Sequence, residues 1–238
     1  MTAAGRDRRG EIAASAVATM HVRRSVLRLF FRTACDLGLT FNDPTRELPL
    51  PPRSPLVTRA ITEDEADLLR HFAFYSPRAS RHAAVLALAL AGAHSGEIGH
   101  ISLADLHIEH ARVYVHGSSK TRPRWCALDP WAMGSLTLRI AALRRSHHGR
   151  ELDPQTLLAS TCQGSEAAQQ ARVCVAIRDV MIKAGLGQEA DLRPTSVTAY
   201  AGRLAFNERS RIEDAANVLG MNSLDRVARL IGHDWPTR

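Results

Sequence analysis

Lysine, tyrosine, cysteine and long apolar runs are all scarce in this 238-residue sequence, and each scarcity excludes something. Cysteine occurs four times, at Cys35, Cys126, Cys162 and Cys174, with no CxxC spacing, so neither a disulfide framework nor a zinc ligand set is present. The eleven histidines include His107, His110, His147 and His148, but none has a carboxylate or thiol partner at ligand spacing, so no metal and no cofactor are expected. The longest apolar run, Ala83–Ala93, is far short of the ~18 residues of a membrane span. Arg8–Arg9 precede Ile12–Met20, but Glu11 and small polar residues make a poor signal-peptide core. A cytoplasmic protein with no membrane partner is the expectation. Tyrosine occurs three times, as Tyr75, Tyr114 and Tyr200, which leaves the last 38 residues with none.

Positive charge is what the chain does have. The formal net charge is +7, and of 31 basic residues 29 are Arg; only Lys120 and Lys183 are Lys. Between Arg112 and Arg150, seven Arg and Lys120 face a single acid, Asp129, so this stretch alone sums to +7. Such a cluster points to a polyanion, and first to nucleic acid. In so Arg-dominated a chain, a lysine at a turn is informative: an ammonium gives up a proton near neutral pH far more readily than a guanidinium does.

The pattern of residues divides the chain. From His21 to Leu37, Val22, Val26, Leu29, Phe30 and Thr33 recur at helical spacing with Arg23, Arg24, Arg28 and Arg32 between them, and Gly38 marks the stop. The run Leu48–Pro55 holds four prolines and reads as an extended linker, which places a boundary near residue 58. Residues 1–58 are too few to bury their own core. Beyond the boundary, Thr62-Glu-Asp-Glu65 is a capping box, and Ala79–Ala93 is a helix apolar all round, hence buried. The period then changes from 3.6 to 2 over Leu106–His110, Arg112–His116 and Arg124–Leu128, predicting three short strands. Asp129–Pro130 suits a helix start, and helices are predicted over Trp131–Arg145, Ala167–Ala184, Thr195–Asn207, Arg211–Leu219 and Leu224–Ile231. The expected class is mostly α with a small three-stranded antiparallel sheet.

In order along the chain stand Ala91-Gly-Ala-His-Ser-Gly-Glu-Ile98, a strand pair with a lysine hairpin, a basic helix, Leu192-Arg193 and Leu219-Gly220. This series resembles the tyrosine recombinases, the phage-integrase type of DNA-cleaving and rejoining enzyme. Residues 59–238 are similar to that family's catalytic domain, and residues 1–58 to the end of its core-binding domain. The resemblance implies double-stranded DNA as partner and attack by a tyrosine hydroxyl on a phosphodiester. Two arginines clamp the phosphate, and a hairpin lysine protonates the leaving oxygen.

Carried over residue by residue, the resemblance makes Lys120 the hairpin lysine, Arg193 the second clamp arginine and Glu97 a supporting acid. Arg122, Arg124, Arg144 and Arg145 become expected phosphate contacts. The remaining positions depart from the pattern: His94 stands for the first clamp arginine, Ala190 and Met221 for two histidines, and Leu230 for the nucleophile. The expectation is therefore a DNA-binding protein of recombinase ancestry that does not cleave DNA, acting as a homo-oligomer or beside an active recombinase. Three alternatives stay open. A nucleophile supplied in trans would keep the site active. Residues 215–231, turning at Gly220 and bearing Arg226 and Arg229, read loosely as a helix-turn-helix regulator. The apolar end, Leu230, Ile231 and Trp235, would suit a protein–protein adaptor.

Overall fold

The computed structural model describes residues 4–6, 12–14, 17–51, 58–76, 78–160 and 164–234, and the chain divides into two compact units, 1–56 and 57–238. In the first unit, β1 (Ala4–Arg6) pairs antiparallel with β2 (Ile12–Ala14), and the long helix α1 spans Val17–Asp36. This helix starts four residues before the predicted one. Gly38, at φ +69°, stops it where expected. The returning segment lies along α1 because Arg28 donates to the carbonyls of Thr45 and Arg46 and His21 Nε2 donates to that of Pro51. The apolar stripe of α1 is not buried: Val26 and Phe30 are 61% and 64% exposed, and Ala34 is its buried residue.

The second unit has its own core. The capping box forms as read: Thr62 Oγ1 accepts from the Glu65 amide and the Glu65 carboxylate from the Thr62 amide, opening α2 (Glu63–Phe72). Helix α3 (Ala79–Leu90) is enclosed along nearly its whole length, with Leu86, Leu88 and every residue from His82 to Leu90 buried. It packs against α5 (Pro130–Ser146) and α6 (Glu166–Lys183). Asp129 caps α5 by accepting from the Ala132 amide at 2.6 Å.

Between α3 and α5 lie a four-residue helix, α4 (Ser95–Ile98), and the antiparallel sheet β3 (Leu106–His107), β4 (Arg112–Val115) and β5 (Arg124–Ala127). Register pairs Val113 with Cys126 on the buried face and Tyr114 with Trp125 on the outer face. The first strand is shorter than its alternating pattern predicts. After His107 the chain tightens into a 3₁₀ turn, Ile108–His110, and Ala111, at φ +45°, reverses it into β4. The chain ends in α7 (Pro194–Arg209), α8 (Ile212–Leu219) and α9 (Leu224–Ile231), where Ile212, Ala215, Leu219, Val227 and Ile231 form a smaller second core. Nine α-helices and five strands make up the described residues, and no helix among them is long and apolar enough to cross a membrane.

Candidate functional site

The hairpin between β4 and β5 sets the site's geometry. Gly117 turns the chain at φ +79°; a Cβ there would stand 2.6 Å from the Thr121 carbonyl oxygen, so only glycine lets the loop close. The Ser118 amide donates to Thr121 O at 3.0 Å, which leaves Lys120 exposed at the tip. The tip is docked, not dangling. The Arg122 amide donates to Gly220 O at 2.7 Å, and Thr121 forms a β-bridge with Met221, so the hairpin is stitched to the turn between α8 and α9.

This docking encloses a cavity of about 520 Å³. Gly117–Thr121 form one wall, and His94–Glu97 with His100 another. Glu166 and Gln170 of α6, Thr195 of α7, and Met221 and Arg226 complete it.

Charge is fully satisfied beneath the cavity. Glu97 receives both Nη groups of Arg124 at 2.9 Å, the Thr121 hydroxyl at 2.5 Å and the His94 amide at 2.7 Å. The side chains of Arg124 and Glu97 are only 7% and 2% exposed. Burial works to raise the Glu97 pKa, but the bonds from Arg124 and Thr121 outweigh it and hold the carboxyl below its ordinary range. Arg124 also donates to Val218 O and Gly92 O, each at 2.8 Å. The expectation that Arg124 contacts phosphate is therefore corrected: its guanidinium is buried and its donors are already taken. His94 points its Nε2 at Leu219 O, 2.9 Å away, and burial depresses its pKa, so the ring is neutral near pH 7 and carries no charge to a phosphate.

The other predicted positions scatter. Lys120, Glu97, His94 and Met221 line the cavity; Arg193, Ala190 and Leu230 do not. Arg193 caps α7 and turns its guanidinium back onto its own neighbour, Leu192 O. Ala190 is exposed in the preceding turn, and Leu230 packs against the small C-terminal core. Arg122 is exposed and donates to Asn217 at 3.3 Å, while Arg144 and Arg145 are exposed in the last turn of α5. None of the three tyrosines reaches the cavity. Tyr75 is exposed, Tyr114 packs on Trp125 across the outer sheet face, and Tyr200 is 4% exposed and donates to the Glu63 carboxylate. Burial and that carboxylate push the Tyr200 hydroxyl up to about 12, so it stays protonated.

Sequence reasoning missed the cavity's Glu166, Gln170, His100 and Thr195, which come together only through tertiary packing. Arg226 was visible as a basic residue on the last helix, but its position at this cavity was not. The helix pair around Gly220 buries Leu219, Val227 and Ile231 against α7, which accounts for those apolar residues without a groove-reading helix. Trp235 lies outside the described residues. Among the described residues no group of three or more His, Cys, Asp or Glu stands in position to hold a metal.

No protein-family model and no curated protein matches the chain. Solved structures do. XerA recombinase matches with a TM-score of 0.57 at 18% identity over 91% of this chain and 71% of that one. A lambda integrase dimer bound to a COC′ core site matches at 0.64 and 19% over 93% and 77%, and the chain spans 62% of a longer lambda integrase. The Tn1549 transposon integrase in complex with a circular intermediate DNA matches at 0.56 and 12% over 92% and 76%. All are tyrosine recombinases, and the chain has the tyrosine-recombinase fold.

Proposed function

We propose that this chain, built on the tyrosine-recombinase fold, binds double-stranded DNA and does not cleave it by itself. The observation that carries the reading is a cavity holding Lys120 with no tyrosine at its walls; the sequence resemblance adds to it, since it matches the nucleophile to a leucine, Leu230. A lysine that protonates a leaving 5′-oxygen does nothing until a nucleophile has attacked phosphorus. Tyr200 is a poor substitute, since its hydroxyl is buried, protonated and bonded to Glu63. The DNA-binding half of the proposal rests on charge. Arg144, Arg145 and Lys120 are exposed in the basic stretch, and the lambda and Tn1549 integrases of like fold are seen on DNA.

The test has two arms on the whole chain. Gel shifts with duplex DNA at about 50 and about 200 mM salt give retardation that weakens steeply between the two. Absent or salt-independent binding overturns the DNA reading. A nicked suicide duplex, run on a denaturing gel, gives no covalent protein–DNA band; such a band overturns the claim that cleavage is lost.

One observation favours a second reading, in which an active recombinase supplies the tyrosine. The Lys120 hairpin is held in place by Glu97 and the α8–α9 turn, and recombinases of this fold assemble, lambda integrase as a dimer and as a tetramer on a Holliday junction. Adding such a recombinase to the suicide assay decides it: cleavage dependent on Lys120 supports donation in trans, and no K120A effect removes it.

A further inference from the structure

We infer that Arg226 supplies the second cation of a phosphate seat in the cavity, so that one phosphodiester of the duplex lies between Lys120 and Arg226. The inference rests on the DNA-binding reading above and adds to it a residue and a stoichiometry. Two cations border the cavity, Lys120 from the hairpin tip and Arg226 from α9. His94 cannot serve, being neutral with its Nε2–H donated to Leu219 O. Arg124 cannot serve either, because Glu97 and two backbone carbonyls hold its guanidinium. Among the described residues, neither Lys120 nor Arg226 makes an ion pair.

The position of Arg226 adds a physical argument. It lies in the first turn of α9, two residues past the start at Leu224, where the helix dipole disfavours a cation. Asp225 shares that turn, yet Arg226 makes no ion pair among the described residues, so its guanidinium is free to serve something outside the helix. An anion in the cavity would offset both that cation and Lys120. The two cations also share a scaffold, because the Arg122–Gly220 hydrogen bond and the Thr121–Met221 bridge fix the hairpin to the turn that leads into α9. Ser118, Ser119 and Thr195 add hydroxyls suited to phosphate oxygens. Glu166, also at the wall, is the opposing charge. It sits in the first turn of α6, where the dipole favours an anion.

The experiment measures duplex affinity of the whole chain against salt for wild type, R226A, K120A and the double variant. Each single variant weakens binding roughly tenfold or more and lowers the slope of log affinity against log salt by about one. The double variant lowers the slope by no more than either single, because both cations face the same phosphate. R226K recovers part of the affinity, since a point charge remains but the fork is lost. Wild-type affinity in R226A, or a slope falling by about two in the double variant, overturns the shared seat. Titration with inorganic phosphate separates the source. Competition that R226A abolishes supports the seat, whereas phosphate binding by a chain whose duplex affinity R226A leaves unchanged assigns the cavity to a free anion and overturns the inference. If wild type fails to bind duplex, the underlying DNA reading has failed first, and the two failures are distinguishable.

Discussion

Lys120 and Arg124 are four residues apart on one hairpin, and their charges live in opposite surroundings. Arg124 points under the sheet, where Glu97 takes its planar fork in a two-point grip and two backbone carbonyls take further donors. Lys120 stands at the tip, exposed and without an ion pair among the described residues. The floor of the cavity is therefore electrostatically closed, and its rim is open. A buried guanidinium must be matched locally because leaving one partner unpaired costs several kcal/mol. A rim cation carries no such obligation and stays available to a ligand. Basic residues of one sequence cluster thus divide into those that hold the site together and those that face outward, and exposure decides which is which.

Five experiments would break or sharpen that contrast. The largest effect is expected at the floor. R124M leaves Glu97 buried without its cation and should cost about 3–5 kcal/mol in denaturant unfolding, with part recovered in the R124M/E97M double variant. An R124M protein of wild-type stability would mean that the floor is not closed. Next comes G117A, which forces a Cβ against the Thr121 carbonyl at a positive φ and should destabilise by about 2 kcal/mol.

Smaller and pH-dependent effects follow from the two titrating groups. The folded pKa of Glu97 lies below its ordinary 4.5, so the stability it contributes is whole above that value and is lost as pH falls through the folded pKa; E97Q should flatten the acid limb. His94 is depressed below its ordinary 6.5, so the unfolded chain binds a proton that the folded chain refuses, and stability declines as pH drops through that ordinary value toward the folded pKa. His82, also buried and depressed, adds to that slope, so H94N should remove part of it and not the whole. The least effect on stability is expected at the exposed end of α5. R144A and R145A should stay within about 0.5 kcal/mol of wild type while each lowers the salt slope of DNA binding by about 0.9. Loss of folding in either would place these arginines with Arg124.

Much of the fold was legible in the sequence because its signals are local. The Thr62–Glu65 box opens α2, Leu224–Ile231 is a helix at its predicted bounds, and the change of period marks the sheet. The shortened first strand was not legible, since a left-handed Ala111 breaks an alternation that the side chains continue. At the site, the Gly117–Thr121 turn announced Lys120, but nothing near Arg124 announced a carboxylate 27 residues away, or carbonyls at Val218 and Gly92. Arg226 was hidden for the same reason: its neighbours at the cavity lie on α4, α6 and the hairpin, far away along the chain. The apolar stripe of α1 is the opposite case, a clear local pattern whose burial within its own unit does not follow.

The bond from the Arg122 amide to Gly220 O joins positions about a hundred residues apart, which ties the hairpin to the order in which the chain is made. During synthesis, domains fold as their residues emerge, and long-range pairings form last. The hairpin can pair β4 with β5 early, but its tip has no dock until Gly220 and Met221 have left the ribosome. The same tie predicts shared protection in the finished protein. Opening of α8 and α9 releases the Arg122 amide, so its hydrogen exchange should follow that of the C-terminal helices and not that of the sheet to which it is covalently joined.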